Sequence, residues 1–448
     1  MRILIYSYNY HPEPIGIAPL MTQLAEGLAQ RGHEVRVVTG MPNYPERKIY
    51  PNYRGKFYQT ETRNGVIIQR SYIWIRPKPG LMTRAILDGS FVCTSFIQAL
   101  RGWRPDLILL TVPPLPVSIP ATLLGLFYRC PVVLNLQDIL PEAAVQVGLL
   151  RNKLAIRVFE ALERFAYRQA TRISVIADGF VDNLRNKGVP DAKLACIPNW
   201  VDVDEIYPMP FETNQFRQEH QLQDKFVVMY SGNIALTQGM ATVIRAAATI
   251  TDIPDIVFVI VGEEKAIANL QKACDEHGAT NVKLLTFQPR ERLPEMLAAA
   301  NVGLIVQKAN VVSFNMPSKT QCLLASGRPI IVSAPLTGTA ADAVRKSEGG
   351  LVVPPENPTE LTNAILSLYR DPSNAVTLGE KGRDYALKQY SLQSALNRYE
   401  ALFAELTQTG VPYPSTDQSA IANSLAFAGA NIDPKKHLSS LQNIQEPG

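Results

Sequence analysis

Short runs of consecutive apolar residues, repeated twice along the chain in the same rhythm, leave this sequence very few architectures. Ile3–Tyr6, HEVRVVT, DLILLT, Val132–Leu136 and ISVIA make up the first series. Strands read this way when helices cover both faces of their sheet, as in parallel α/β folds. A sheet with one wet face alternates apolar and polar residues instead. Helical patterns separate the runs: Ile17, Leu20, Met21, Leu24 and Leu28 share one face, and Gly32 closes that helix. The rhythm restarts at FVVMYSG and continues through IVFVIVG, VKLLTF, Val302–Val306 and Pro329–Ser333. Two Rossmann-like domains are therefore expected, in keeping with 448 residues, more than one core usually supports. IPNWVDVDEIYPMP, an acidic connector with prolines, separates the two series. We place the domains at residues 1–207 and 208–390 and a last helix at 391–407. Residues 408–448 are polar and weakly patterned and read as a flexible extension.

Composition narrows the functions open to such a chain. Hydrophobic residues make up 46% and charged residues 19%, as in an ordinary globular protein. The balance of 44 Lys+Arg against 40 Asp+Glu is too mild for a nucleic-acid partner, yet compatible with contact with an anionic membrane surface. Five cysteines stand singly without a C-x-x-C pair, and five histidines are equally dispersed, so buried free thiols and no metal site are expected. The amino terminus, MRILIYSYNY, reads as a strand and not as a signal peptide, which favours the cytoplasm. Leu107–Tyr128 has the length of a membrane span, but Pro113, Pro114, Pro116 and Pro120 interrupt it. It reads as a strand, a bend and a helix from about Pro120.

Ligands of parallel sheets bind beyond the carboxyl ends of the strands, so the residues there are the candidates. Asn301–Ser333 puts Lys308 just past one strand and Pro317, Ser318 and Lys319 at a helix start. Free backbone N–H groups and two cations there suit a phosphate-bearing ligand at Phe314–Lys319; the alternative is an ordinary surface loop. The first loop, YNYHPEPIGIAPL, contains Gly16 alone and lacks G-x-G-x-x-G, which disfavours NAD. A single glycine still allows close approach of backbone to a ligand. His11 follows the same strand, whereas His33 lies away from the strand carboxyl ends and reads as packing. Asp138, at the end of Val132–Leu136, points into the crevice of the sheet, caps the helix after it, or does both. Met41–Gly80 is rich in proline, tyrosine and arginine. Tyr53, Arg54, Trp74, Arg76 and Lys78 in it are candidates for contact with a ligand or a membrane surface, or they only cover the edge of the core.

NYHPEPIGIA with RGHEVRVVTGMPNYP, then LNLQD, IPNWVD, MYSGNIALTQG, IVQK and MPSKTQCLLASGRP, stand in this order between Arg2 and about Leu406. With these pieces the sequence resembles the GT-B glycosyltransferases of family 4, and among them the enzymes of colanic-acid and related exopolysaccharide assembly. The resemblance implies an α/β chain of two Rossmann-like domains facing across a cleft, with the last helix crossing back to the N-domain. It implies retaining transfer of a sugar from a GDP- or UDP-sugar donor to a saccharide or lipid-linked acceptor. No cofactor and no tightly bound metal are implied, and the inner face of the plasma membrane is an expected place of work. The C-domain would hold the nucleotide and the N-domain the acceptor.

By matching position, Gly16 is the N-domain glycine near the donor and Asp138 a polar group near the transferred sugar. Gly262 and Glu263 match the loop near the nucleotide, and Phe287–Gln288 the segment that meets the base. The catalytic candidates are Asp138 and His11. The donor-binding candidates are Gly16, Asn233, Gln238, Gly262, Glu263, Gln288, Lys308, Asn315, Ser318 and Lys319. The chain departs from the common pattern where Asn233 and Gln238 replace an arginine and a lysine on the diphosphate, and Cys322 replaces a glutamate. Lys308 and Lys319 then remain as phosphate cations. Two other readings stay open. One is a sugar-nucleotide epimerase of the same architecture, which would need more acid and base groups than this chain supplies. The other is a non-catalytic nucleotide-sugar-binding protein.

Overall fold

In the computed structural model, which describes residues 1–408 apart from 15, 77–79, 143, 144, 146–149, 236 and 312–315, the two series of apolar runs become two separate sheets. The first series gives β1 (Arg2–Tyr6), α1 (Ala18–Gln30), β2 (Glu34–Gly40), β3 (Tyr58–Arg63), β4 (Val66–Ser71), α2 (Leu81–Ala99), β5 (Leu107–Val112) and α3 (Ser118–Tyr128). It continues with β6 (Val132–Leu136), α4 (Lys153–Gln169), β7 (Arg172–Val175), α5 (Asp178–Asn186) and β8 (Leu194–Cys196). The strands lie in the order β3-β4-β2-β1-β5-β6-β7-β8, and only the β3–β4 pair is antiparallel.

The second series gives α6 (Gln215–Glu219), β9 (Phe226–Ser231), α7 (Met240–Ala248), β10 (Ile256–Gly262), α8 (Glu264–His277), β11 (Val282–Thr286), α9 (Leu293–Ala298) and β12 (Val302–Val306). After these come α10 (Lys319–Ala325), β13 (Ile330–Ser333), α11 (Thr339–Ser347), β14 (Gly350–Val353), α12 (Pro358–Arg370), α13 (Pro372–Gln389) and α14 (Leu392–Gln408). This sheet runs β11-β10-β9-β12-β13-β14 and is parallel throughout.

Register decides which residues meet which layer. Ile3 lies between Val35 and Leu107, and Ile5 between Val37 and Leu109, so these side chains share one face of the first sheet, covered by α1 and α14. The alternate positions face α2. There the buried Tyr6 lies against Phe91, and the Arg36 guanidinium donates to the carbonyls of Ala99 and Trp103. Both faces are thus buried, which is why the strands carry no solvent-facing alternation.

After α13 the chain leaves the second domain, and α14 completes the core of the first with Leu396, Tyr399 and Phe403. Polar contacts lock it in place. His33 Nε2 is 2.9 Å from Glu400 Oε1, Arg31 pairs with the same carboxylate, and Arg172 pairs with Glu405. A further ion pair joins Lys346 on α11 to Asp178 at the start of α5.

Some of the described elements are not visible in the apolar pattern, β3, α11 and α13 among them. β3 is a polar edge strand, YQTETR, with no buried position to mark it. The buried face of α11 is made largely of alanines, and that of α13 is Ala375, Gly379, Gly382 and Ala386. Small residues are required there because backbone packs on backbone: a Cβ on Gly379 would lie 2.3 Å from the Gly327 carbonyl oxygen.

Removing the Phe403 ring should open a cavity under α14 and destabilise the first domain. Phe403→Ala is expected to cost about 3–5 kcal/mol, read as a lower denaturant midpoint for the Trp200 fluorescence beside that core.

Candidate active site

Around the end of β9, the second domain gathers several of the predicted residues. Gly232 takes φ +136°, a left-handed turn open to glycine, and a Cβ there would stand 3.2 Å from Lys319 Nζ. Lys319, in the first turn of α10, thus reaches back under the loop and lies 3.8 Å above the Tyr230 ring. Its ammonium is buried and, among the described residues, has no hydrogen-bond acceptor. Burial pulls its pKa down to about 7. A buried ammonium with unused N–H donors can be stabilised by an anion brought beside it.

The same loop holds its neighbours. Tyr230 donates through its hydroxyl to the Asn233 carbonyl (2.8 Å), which leaves the Asn233 side chain exposed. The Gln238 N–H closes a turn on Ala235 (2.9 Å), and the Lys308 N–H donates to the Thr237 carbonyl (3.0 Å), so the loops after β9 and β12 are joined. Gly262 ends β10 where Ile234 crosses it: a Cβ on Gly262 would be 2.3 Å from Ile234 Cδ1. Glu263 is exposed at the start of α8. Gln288 lies farther along the edge and donates to its own Thr286 carbonyl (3.0 Å). Ser318 is exposed and makes no capping bond. Asn315 and Phe314 fall outside the described residues. Cys322 packs against the apolar core of this domain, and burial pushes its thiol up to about 11.

The strand ends of the first domain carry the remaining candidates. Gly16 adopts φ +71° and is exposed in the loop after β1. His11 is held by its surroundings: its N–H donates to Thr22 Oγ1 (3.1 Å), its carbonyl accepts from Arg70 (2.6 Å), and its Nε2 lies 2.9 Å from an Arg63 N–H. Burial, then Arg63 and Arg70, lower its pKa. These surroundings favour the neutral ring, which lies against Arg63 at the end of β3.

Asp138 follows β6. The residue is exposed, and partial desolvation by the protein around it raises the pKa of its carboxyl. The residue before it is locked. Gln137 exchanges two hydrogen bonds with Asn199 (2.7 and 3.2 Å) and donates to Asn135 (2.7 Å), which in turn donates to the Tyr399 hydroxyl (2.7 Å). The crossing helix thereby fixes the direction in which Asp138 leaves its strand.

Glu13 escaped the sequence reading. It is 4% exposed and accepts from Asn9 Nδ2 (2.6 Å), the Asn43 N–H (2.7 Å) and the Tyr44 N–H (2.9 Å). It joins the Gly16 loop to the segment after β2. The available signal was an acid between two prolines just past a buried strand. Beyond it, Arg47, Lys48 and Arg54 together with Ile49, Tyr72, Ile73 and Ile75 line a cavity of about 340 Å³. Tyr53 lies instead beneath the Arg70 guanidinium (4.9 Å), Arg76 stacks on the exposed Trp74, and Lys78 is outside the described residues. Among the described residues no three His, Cys, Asp or Glu side chains come together as metal ligands.

Comparison with known proteins covers both halves of this arrangement. Residues 16–200 match the glycosyl transferase 4-like domain, and residues 212–385 match glycosyl transferases group 1. A protein of Escherichia coli (strain K12) assigned to colanic acid biosynthesis as the glycosyl transferase WcaI is 29% identical, over 89% of this chain and 98% of its own. Among solved structures, sucrose-phosphate synthase from Thermosynechococcus elongatus superposes with a TM-score of 0.70 at 19% identity, over 91% of this chain and all of that one. Anabaena HepE in complex with UDP and glucose does so at 0.64 and 18%, with the same coverage. At these identities the structures establish the GT-B fold, with its two Rossmann-like domains.

The state of Lys319 has a readable consequence. An anion beside it favours the charged form and raises its pKa on binding. Below pH 7 the lysine is already charged and contributes no pH dependence. Above about 7 the free protein must take up a proton to bind, so affinity for GDP or UDP should fall by up to about tenfold per pH unit. Calorimetric titration across this range should show the slope in the native chain, and a weaker, flat profile in Lys319→Met.

Proposed function

Because the chain belongs to the GT-B glycosyltransferases, with a family 4-like N-domain and a group 1 C-domain, we propose that it moves a sugar, with retention, from a nucleoside-diphosphate donor to a saccharide or lipid-linked acceptor in the assembly of a cell-surface polysaccharide. The observation that carries this reading is the buried ammonium of Lys319 beneath the Gly232 turn, which has no acceptor among the described residues. As the donor's glycosidic bond breaks, negative charge grows on the leaving phosphate. A preorganised cation in a water-poor site stabilises that charge more than it stabilises the intact donor. Lys308, joined to the same loop through Thr237, supplies a second cation. No cofactor or bound metal takes part in this reading.

Asn233 and Gln238, neutral where many relatives are cationic, place more of the electrostatic work on the two lysines. Gly16 lets the N-domain backbone approach the donor, and Asp138 stands where the transferred sugar would meet the acceptor hydroxyl. The basic and apolar cavity at Arg47, Lys48 and Arg54 suits an acceptor that carries phosphate as well as carbon surface. Closure of the two domains would exclude water, the competing acceptor.

A thermal-shift screen against GDP, UDP and their sugar conjugates, followed by mass analysis of each donor, tests the reading. Stabilisation by one nucleotide family with slow release of sugar is expected, since a ligand bound only to the native state raises its melting temperature. An intact donor, or conversion to an isomeric donor, would overturn it. Asp138→Asn should lower turnover by roughly two orders of magnitude while leaving nucleotide affinity within about twofold, as for loss of a group acting mainly in the transition state. Equal loss of both would make Asp138 a structural cap.

A further inference from the structure

The hydrogen bonds that the described residues make to the Glu13 carboxylate all come from N–H groups. Oε2 accepts from Asn9 Nδ2 (2.6 Å), and Oε1 accepts from the Asn43 N–H (2.7 Å), the Tyr44 N–H (2.9 Å) and Asn43 Nδ2 (3.3 Å). An ionised carboxylate accepts at both oxygens and donates at neither, so it suits this set where an amide would turn an N–H toward Asn9. At 4% exposure there is little water to replace any bond that is lost.

These bonds join two stretches 30 residues apart. On one side is the loop after β1. It is tied to itself where Ser7 Oγ donates to the Asn9 carbonyl (2.9 Å) and the Glu13 N–H to the Tyr10 carbonyl (3.2 Å), and it carries Gly16 at φ +71°. On the other side, Asn43 and Tyr44 open a turn that also closes on itself. The Lys48 N–H donates to the Asn43 carbonyl (3.2 Å), the Tyr50 N–H to the Pro42 carbonyl (3.0 Å), and the Tyr50 hydroxyl to the Tyr44 carbonyl (2.8 Å). Arg47, Lys48 and Ile49, which this turn carries, form one wall of the 340 Å³ cavity. Two internally bonded loops that meet at one carboxylate move together, and a change at Glu13 reaches both.

We propose that Glu13 is a positioning residue that holds the Gly16 loop and the Arg47–Ile49 wall in fixed register, so that the donor's sugar and the acceptor are brought to reacting distance. The inference rests on the transfer reading above and deepens it. Glu13 is buried and acts through the two loops. Nucleotide affinity, assigned to Lys319 in the other domain, is not expected to depend on it, whereas a small misplacement of reacting groups lowers rate steeply.

Release of sugar to water by the full chain tests this, followed by mass analysis with UDP-glucose, GDP-mannose and the other common UDP- and GDP-sugars. Glu13→Ala should slow release by roughly 10–100-fold and leave the affinity for UDP or GDP within about twofold. Glu13→Gln keeps Oε1 for Asn43 and Tyr44 but sets an N–H against Asn9, and should slow release by about tenfold. Adding Asn9→Asp offers that N–H an acceptor and should bring release back to within about threefold of the native rate, a coupling that two independent substitutions would not show. Amide hydrogen exchange should quicken together at residues 8–17 and 41–50 in Glu13→Ala and return to the native pattern in Glu13→Gln/Asn9→Asp. If Glu13→Ala does not fold, the glutamine variant and its rescue give the same reading. Native rates in the single variants, no rescue by Asn9→Asp, faster exchange in only one of the two loops, or a loss of nucleotide affinity as large as the loss of rate would each overturn the role of Glu13 alone. A native chain that releases no sugar from any of these donors would overturn the transfer reading itself, and this role with it.

Discussion

A parallel sheet buried on both faces offers polar side chains only one way out, at the ends of its strands. That constraint arranges both halves of this protein. β1, β5 and β6 are apolar along nearly their whole length, and the groups able to do chemistry begin with the first residues beyond them. The same holds for β9, β10 and β12 in the second sheet, where Gly232, Gly262 and Lys308 open the loops. Two sheets of this kind in one chain supply two sets of strand-end loops.

Within that frame the two sets have different electrostatic characters. The second domain presents Lys319 and Lys308, for which the described residues provide no ion pair, and burial holds Lys319 near its titration point. The first presents carboxylates in crowded surroundings, Asp138 and Glu13, both raised in pKa by loss of water. Glu13 is satisfied by donors from the loop it organises, whereas none of the described residues provides an ion pair for Asp138. The contrast separates a carboxylate that holds its loop from one that the described residues leave unpaired. α14 connects these arrangements: its Tyr399 reaches Asn135 inside the first sheet, and Asn135 anchors the residue next to Asp138.

Neutral Asn233 and Gln238 and the half-buried Cys322 would mark a weakened site if each position were judged by residue type alone. The loop geometry gives another account. Asn233 offers its carbonyl to Tyr230, and Tyr230 offers its ring to Lys319, so the loop holds a lysine close to the positions where the cations of the common pattern are absent. Cys322 belongs to the apolar underside of α10, and its buried thiol stays protonated.

The sequence by itself determined the two-domain parallel architecture, because unbroken apolar runs of strand length leave few other folds. It also placed the candidate residues at strand ends, since chain order alone says which residue follows a strand. It did not show β3, α11 or α13, whose polar or small buried residues lack an apolar period, and it passed over Glu13, whose partners Asn43 and Tyr44 are distant in sequence. Only the tertiary structure decided that Lys319 folds back beneath Gly232 and that the His11 ring lies against Arg63. Each of these depends on which groups are brought together from far apart along the chain. Burial and charge pairing are properties of that assembly, and a local pattern of residues does not contain them.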